Sequence, residues 1–431
     1  MKYFSLNDKS HTSNFESAVL NGLAPDKGLY FPLEINKLSK HFFEQISSIP
    51  KTEVALEAIT QFIGNEIPTT ELEKILERTL DFEFPVKEIE ENVAVLELFH
   101  GPTLAFKDVG ARFMAGTLGY FIKKGNIPKV TVLVATSGDT GGAVARGFLG
   151  VKGIDVVILY PRGKVSEIQE KQLTGLGQNI TALEVDGSFD DCQRMVKRAF
   201  LDPDIRQQRK LTSANSINVA RWLPQMFYYF LAYQQLKDKH RKLLFSVPSG
   251  NFGNICAGLL AKEMGLPVHH FVAANNENDV VTKFLRTREY KPAASVKTIS
   301  NAMDVGDPSN FVRILQLFKN EFDNLQKNLS SYSFSDDQTK KAIKEVHSRS
   351  GYILDPHGAV GYLGLKKFLE TNSDYFGMFL ETAHPVKFLE TVEVVLNIRL
   401  PLPPEIEKLK RREKNSIEIS YFAELKSFLT E

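Results

Sequence analysis

Seven short, almost unbroken apolar runs, most of them followed by a helical pattern, restrict this chain to an α/β architecture. They are Val93–Leu98, Val130–Ala135, Val156–Tyr160, Ile180–Val185, Leu243–Val247, Phe271–Ala274 and Phe376–Leu380. A run without polar alternation suits a strand buried on both faces, and a helix after each strand lets the next strand lie parallel. The expected fold is therefore a set of β-α units around mostly parallel, twisted sheets. Before Val93 the texture differs. Residues 1–90 interleave charged and apolar positions, as in Glu71–Leu80, and are expected to be mainly helical.

The chain has 431 residues, long for one core and suited to about two or three domains. Lys+Arg 53 against Asp+Glu 52 leaves a net charge of +1, so no overall field draws it to nucleic acid or an anionic membrane. Cys192 and Cys256 lie far apart with no Cys/His cluster, which argues against a disulfide framework or a metal site and fits a reducing compartment. The opening Met1-Lys2-Tyr3-Phe4-Ser5 has no apolar leader, and no run approaches the roughly 18 apolar residues of a membrane span. A cytoplasmic protein is expected. Beyond Pro401, Glu405–Lys414 reads as a solvated charged stretch and Ile417–Leu429 as a helix on the body.

In open α/β sheets, ligands collect where strands end and helices begin. Three such junctions stand out. In Leu243–Asn254, the turn Ser249-Gly250-Asn251-Phe252-Gly253-Asn254 precedes a helical run. Its glycines permit close backbone approach, and the helix start offers free N–H groups to a phosphate. No Lys-Ser/Thr pair closes the turn, so it is not a nucleoside-triphosphate loop. An ordinary βα turn would use the same glycines. In Val132–Ala143, Ser137-Gly138-Asp139-Thr140 opens a second helix and suits a carboxylate, although Asp139 would repel one held close; Ser137 or Asp139 could equally be a simple cap. In Met378–Phe388, Thr382 ends a strand and His384 precedes a helix with an early proline, positions as common for caps as for catalysts.

A fourth segment, His100–Phe113, carries Lys107 behind apolar Leu104, Ala105 and Phe106 at a helix start. Desolvation and the positive helix end both disfavour an ammonium there, which suits a nucleophilic amine able to form a Schiff base. A solvated lysine in a first helical turn is the common alternative.

Taken together, these segments resemble the landmarks of the threonine synthase family, in the same order. HGPTLAFKDVGARF is similar to its pyridoxal phosphate lysine signature, and GLAPDKGLYFP, ATSGDTGGAVA, NSINVAR, VPSGNFGN, NAMDVGDPSNF and TAHPVKF to the others, over about Tyr3 to Leu396. The resemblance implies a fold-type II pyridoxal phosphate enzyme. Lys107 would carry pyridoxal 5′-phosphate and shuttle protons; Gly250, Asn251, Phe252, Gly253 and Asn254 would cradle its phosphate; Thr382 would meet its ring nitrogen. Ser137, Gly138, Asp139 and Thr140 would surround the substrate carboxylate and the ring face. Many relatives in the wider family place an asparagine at the Asp139 position, against the cofactor O3′, so that contact differs here.

The implied reaction converts O-phosphohomoserine and water into threonine and phosphate. The substrate phosphate then needs its own seat, for which the polar run with Ser213, Asn215, Asn218 and Arg221 is the candidate; Arg221 could instead brace structure. The implied division is a helical region 1–90, a large cofactor domain of 91–125 and 210–400, a small domain 126–209, and a tail 401–431, in a monomer or homodimer. A dehydratase or sulfhydrylase of the same fold would lack the second phosphate seat. A phospho-lyase would release phosphate but yield a keto acid. A non-catalytic cofactor-binding relative would have no reason to keep Lys107. A dinucleotide enzyme is disfavoured because no G-x-G-x-x-G opens these helices.

Overall fold

The computed structural model describes residues 2–127, 129–236 and 241–431; Met1, with which the N-terminal reading began, lies outside them with Pro128 and residues 237–240. Two sheets organise the chain. The larger has six strands in the order Leu329–Ser333, His270–Asn275, Lys242–Pro248, Tyr375–Glu381, Val93–Glu97 and Val86–Glu90. All neighbours run parallel except Val86–Glu90, which is antiparallel at the edge. The smaller has five parallel strands in the order Ile417–Ile419, Ile180–Val185, Ile154–Pro161, Val130–Ala135 and Lys210–Thr212.

Every one of the seven apolar runs is a strand. Val93–Glu97, Val130–Ala135 and His270–Asn275 are buried at each residue, as strands covered by helices on both faces must be. Helices Lys107–Lys124, Asp139–Phe148, Gly253–Glu263 and Pro356–Leu369 follow or cover them. None of the helices among the described residues is long and apolar enough to cross a membrane.

The structure departs from the sequence reading at short strands. Residues 2–90 do hold four helices of six or more residues, yet they also form a three-stranded antiparallel sheet from Tyr3–Ser5, Thr12–Ser13 and Tyr30–Pro32. Strands of two or three residues are too short to show a period of two. The tail is more than a solvated stretch with a helix. It contains helix Pro404–Lys410, the edge strand Ile417–Ile419 and helix Phe422–Thr430, which buries Leu425 and Leu429 in the core beneath the small sheet. Its charges are partly engaged: Lys414 bridges Glu170 at 2.9 Å and Glu184 at 2.8 Å.

Candidate active site

Three adjacent parallel strands deliver three loops to one end of the large sheet. Val93–Glu97 leads into the Lys107 segment, Tyr375–Glu381 into Thr382, and Lys242–Pro248 into the turn Ser249–Asn254. The chain approaches Lys107 through a strained turn. Leu104 sits at φ 57°, a left-handed conformation unusual for leucine and of a kind that gathers at functional sites. Thr103 is held by Asp108, through its N–H at 2.9 Å and its hydroxyl at 2.7 Å. The hydroxyl of Tyr228 donates to the carbonyl of Phe106, fixing the residue before the lysine.

Lys107 is the first residue of its helix. Burial pushes its amine below the usual lysine range; Asp139 acts against that, and Lys387 and Arg221 add to it. Its Nζ lies 4.0 Å from Asp139 Oδ2 and 5.2 Å from the centre of the Phe106 ring. Asp139 opens helix Asp139–Phe148 but does not cap it, and neither does Ser137. The cap position is Gly138 at φ 137°, and Thr136 Oγ1 accepts from the N–H groups of Gly138 at 3.0 Å and Gly141 at 2.8 Å. Gly138 has no substitute here, since a Cβ would also run into the side chain of Gln169. Ser137 and Thr140 are half-buried beside Asp139.

Asp139 has two partners that the sequence reading did not assign. Lys387, fully buried, reaches its Oδ1 at 2.6 Å, and Gln169 donates to the same oxygen at 3.0 Å. Burial alone would raise the Asp139 carboxyl, but Lys387 and Lys107 hold it well below the carboxylate range. Lys387 also donates to the carbonyl of Thr103 at 2.9 Å, so it ties the Thr382 loop to the Lys107 loop. The string TAHPVKF contains Lys387, yet nothing local distinguishes it from a solvated helix lysine; only the arrival of Asp139 from another sheet does.

In the glycine turn the conformational demand falls where the sequence did not suggest it. Neither Gly250 nor Gly253 has positive φ; Phe252 does, at 59°. Gly250 is required by close approach instead. A Cβ there would stand 2.6 Å from Met303 Cα and 3.1 Å from the carbonyl oxygen of Ala302. Asn251 donates to Ser216 Oγ at 2.8 Å and accepts from the N–H of Ser309 at 2.6 Å. Segments 213–221, 249–254 and 301–311 therefore close on one another through Ser216, Asn251 and Asn310.

The polar run 213–221 divides in two. Both amide hydrogens of Asn218 are engaged, by Val19 at 2.9 Å and Ser213 at 3.3 Å, while its Oδ1 caps the short helix Val219–Trp222. Ser213 Oγ accepts from the N–H of Asn215 at 3.3 Å. Arg221 is buried, donates through Nη1 to Ala214 at 2.5 Å, and presents Nε without a partner among the described residues. Burial lowers its guanidinium to about 10, so it remains charged at neutral pH.

Thr382, nearly buried, follows Glu381, another residue the sequence reading passed over. Burial, with Asp355 beside it, drives the Glu381 carboxyl well above the usual range. The N–H of Asp355 donates to Glu381 Oε1 at 2.5 Å, and Asp355 Oδ1 lies 2.5 Å from His357 Nδ1. His357 Nε2 accepts from the N–H of Ala302 at 3.2 Å, so Nδ1 carries the ring hydrogen. Through these contacts the strand end under Thr382 is connected to the segment that walls Gly250.

A half-buried primary amine, a close-walled glycine turn at a helix start, and the buried Asn254 Nδ2, a donor without a partner among the described residues, fit an anionic aldehyde such as pyridoxal phosphate. The comparisons agree. The profile of the pyridoxal-phosphate dependent enzymes matches residues 79–374, that of the threonine synthase N terminus residues 2–80, and that of the threonine synthase C-terminal region residues 358–428. The fold and site thus define a fold-type II pyridoxal-phosphate-dependent lyase.

Within that class the chain belongs to the threonine synthase family. It is 46% identical over 434 residues to the threonine synthase of Buchnera aphidicola subsp. Baizongia pistaciae, covering 100% of both chains. It is 45% identical to that of Escherichia coli K12, covering 94% of each. The crystal structure of the Escherichia coli threonine synthase superposes with a TM-score of 0.93 at 42% identity, over 100% of this chain and 99% of that one. A threonine synthase from Brucella melitensis, solved with pyridoxal phosphate bound, gives 0.93 at 34% identity and the same coverage.

Proposed function

We propose that this site converts O-phosphohomoserine and water into threonine and phosphate, with Lys107 as the cofactor lysine. The observation that carries the reading is the convergence of Lys107, Thr382 and the Gly250 turn from three neighbouring strand ends, in a chain of the threonine synthase family. Bound pyridoxal phosphate supplies an electron sink for charge developing on the substrate carbon chain. Gly250, Asn251, Phe252, Gly253 and Asn254 would hold its phosphate, and the Thr382 hydroxyl would serve its ring nitrogen. A neutral hydroxyl there does not favour a protonated ring as a carboxylate would, which suits elimination on the side chain.

The protein's own part is proton handling and charge placement. Lys107 Nζ takes a proton from the substrate Cα; loss of a second proton, from Cβ, supplies the electron pair that expels the γ-phosphate, and protons return at Cγ and, once water has added at Cβ, at Cα. Ser137, Gly138, Asp139 and Thr140 border the substrate carboxylate. Arg221, with Ser213 and Asn215, receives the γ-phosphate, and its Nε, without a partner among the described residues, supports that role more than a bracing one. Asn218 then acts by holding this run in place rather than by touching substrate. Water adds at Cβ. In this reading residues 91–125 and 210–400 form the cofactor-holding unit and 126–209 the smaller one, with strands Lys210–Thr212 and Ile417–Ile419 lying in the sheet of the smaller unit. Product analysis after incubation with O-phosphohomoserine tests the proposal. Threonine with one equivalent of phosphate supports it; a keto acid would make the protein a phospho-lyase, and neither product would remove the activity.

A further inference from the structure

Asp139 is a buried carboxylate between two ammonium groups that are not equivalent. Lys387 Nζ stands at 2.6 Å from Oδ1, Lys107 Nζ at 4.0 Å from Oδ2. Lys387 is fully buried and fixed by the Thr103 carbonyl at 2.9 Å. The carboxylate is fixed as well, by Gln169 at 3.0 Å and by its place in the first turn of a ten-residue helix, where negative charge is favoured. Lys107, by contrast, has no hydrogen bond to Asp139 at its distance.

We propose that Lys387 is the resident counter-ion of Asp139, and that this pair, as a positioning unit, leaves the Lys107 amine free to react. This rests on the reading that Lys107 holds the cofactor. A lysine must be neutral to attack an aldehyde. A lone buried carboxylate beside it would draw it into an ion pair and keep it protonated. Lys387 cancels that charge at shorter range, and burial of Lys107 then has its effect. The other charged groups acting on Lys107 are Arg221, which also disfavours its ammonium, and Asp355, which favours it. Neither lies between Lys107 and Asp139 as a hydrogen-bond partner.

The test needs no turnover. The full chain, freed of aldehyde, is labelled with trace acetic anhydride across pH, and Lys107 acetylation is followed by peptide mass spectrometry. Lys387→Met should raise the midpoint of Lys107 reactivity by about one pH unit or more, with a matching drop in labelling at pH 7. Asp139→Asn should shift the midpoint down, and the double variant should return toward wild type. An unchanged midpoint in Lys387→Met, or a double variant that behaves like Lys387→Met, overturns the proposal. Should Lys387→Met fail to fold, Asp139→Asn still decides, since an unchanged or raised midpoint there overturns it equally. Borohydride reduction of the loaded wild type identifies the cofactor lysine separately. An adduct elsewhere removes the Lys107 reading, whereas the labelling midpoints address the counter-ion alone.

Discussion

The backbone N–H of Phe106 donates to the carbonyl of Thr382 at 2.9 Å, so the residue before Lys107 is pinned to the residue proposed to face the cofactor ring. Because the pin is backbone to backbone, the two side chains can be altered without moving it. Thr382→Val should therefore keep the fold and the placement of Lys107. It should weaken pyridoxal phosphate binding by about 1 kcal/mol, the scale of one net hydrogen bond. Absorbance titration with the cofactor, beside a melting curve, measures both. Equal affinity in the variant would remove the hydroxyl from the cofactor contacts.

Lys107→Ala should abolish turnover and leave melting unchanged or slightly raised, because the half-buried amine is desolvated yet stands 4.0 Å from Asp139, too far for a hydrogen bond to it. In the wild type, borohydride should fix the cofactor to Lys107. Residual activity above background in the alanine variant would contradict this assignment.

Gly250→Val should be the more damaging of the two glycine substitutions. Its Cβ meets backbone atoms of Ala302 and Met303, which cannot rotate away, whereas a Cβ on Gly253 meets Asn310 and Ser216 at 3.3 Å. Displacing the 301–303 backbone should lower stability by about 1–3 kcal/mol and lower cofactor affinity with it. Gly253→Ala should retain most of both. Chemical denaturation and cofactor titration of the two variants distinguish them, and a reversed order would show that the wall of Gly250 is soft.

Arg221→Ala should reduce kcat/KM for O-phosphohomoserine by on the order of a hundredfold, as expected for losing a charge-assisted contact. The visible spectrum of the loaded enzyme should be unchanged. Some loss of melting temperature accompanies it, because Nη1 also holds Ala214. Arg221→Lys separates the two contributions. Wild-type kinetics in Arg221→Ala would move the phosphate seat to Ser213, Asn215 and the backbone.

Acid should weaken the Thr382 loop through His384. Its Nδ1 accepts from the N–H of Val386 at 3.2 Å and caps the turn Pro385–Phe388, which requires an unprotonated ring nitrogen. Burial, aided by His100, lowers this imidazole to about 4. An imidazole depressed in the folded state stabilises the fold fully above the unfolded value of about 6.5, and this contribution is lost as pH falls toward 4. The ceiling is about 3 kcal/mol. His384→Asn keeps a capping acceptor and should flatten stability against pH between about 6.5 and 4. A pH profile of urea unfolding that is identical in both proteins would assign the acid sensitivity elsewhere, for example to His270, lowered similarly by burial.

What the sequence made legible followed from local causes. Ile180–Val185 and Val130–Ala135 are visible to the residue because each is a largely apolar, buried run, interrupted only by Thr181 and Glu184 in one and Thr131 in the other, and bounded by polar residues on both sides, Asn179 and Asp186, Lys129 and Thr136. The helix beginning at Lys107 was legible for a related reason, the change from a buried run to a helical pattern. Leu329–Ser333 escaped because three of its five residues are serines, held as an edge strand by pairing with Phe271–Asn275 rather than by its own hydrophobicity. Gly250 and Phe252 show a second limit. A glycine needed for close approach looks the same in sequence as one needed for positive φ, and here the positive φ went to phenylalanine. Lys387, Gln169 and Asp139 show a third. Each is unremarkable among its neighbours, and their meaning comes from contacts across 30 and more residues.

The strand Ile417–Ile419 lies against Leu183–Val185 at the outer edge of the small sheet, and helix Phe422–Thr430 seals the core below it. During synthesis these residues leave the ribosome long after the rest of that sheet. Until they arrive, the flank of Ile180–Val185 is an unpaired parallel edge, open to a second nascent chain. Pairing with Ile417–Ile419 thus keeps that edge shielded rather than adhesive, and nicking in the exposed stretch around residue 411 would loosen the cover in a mature molecule.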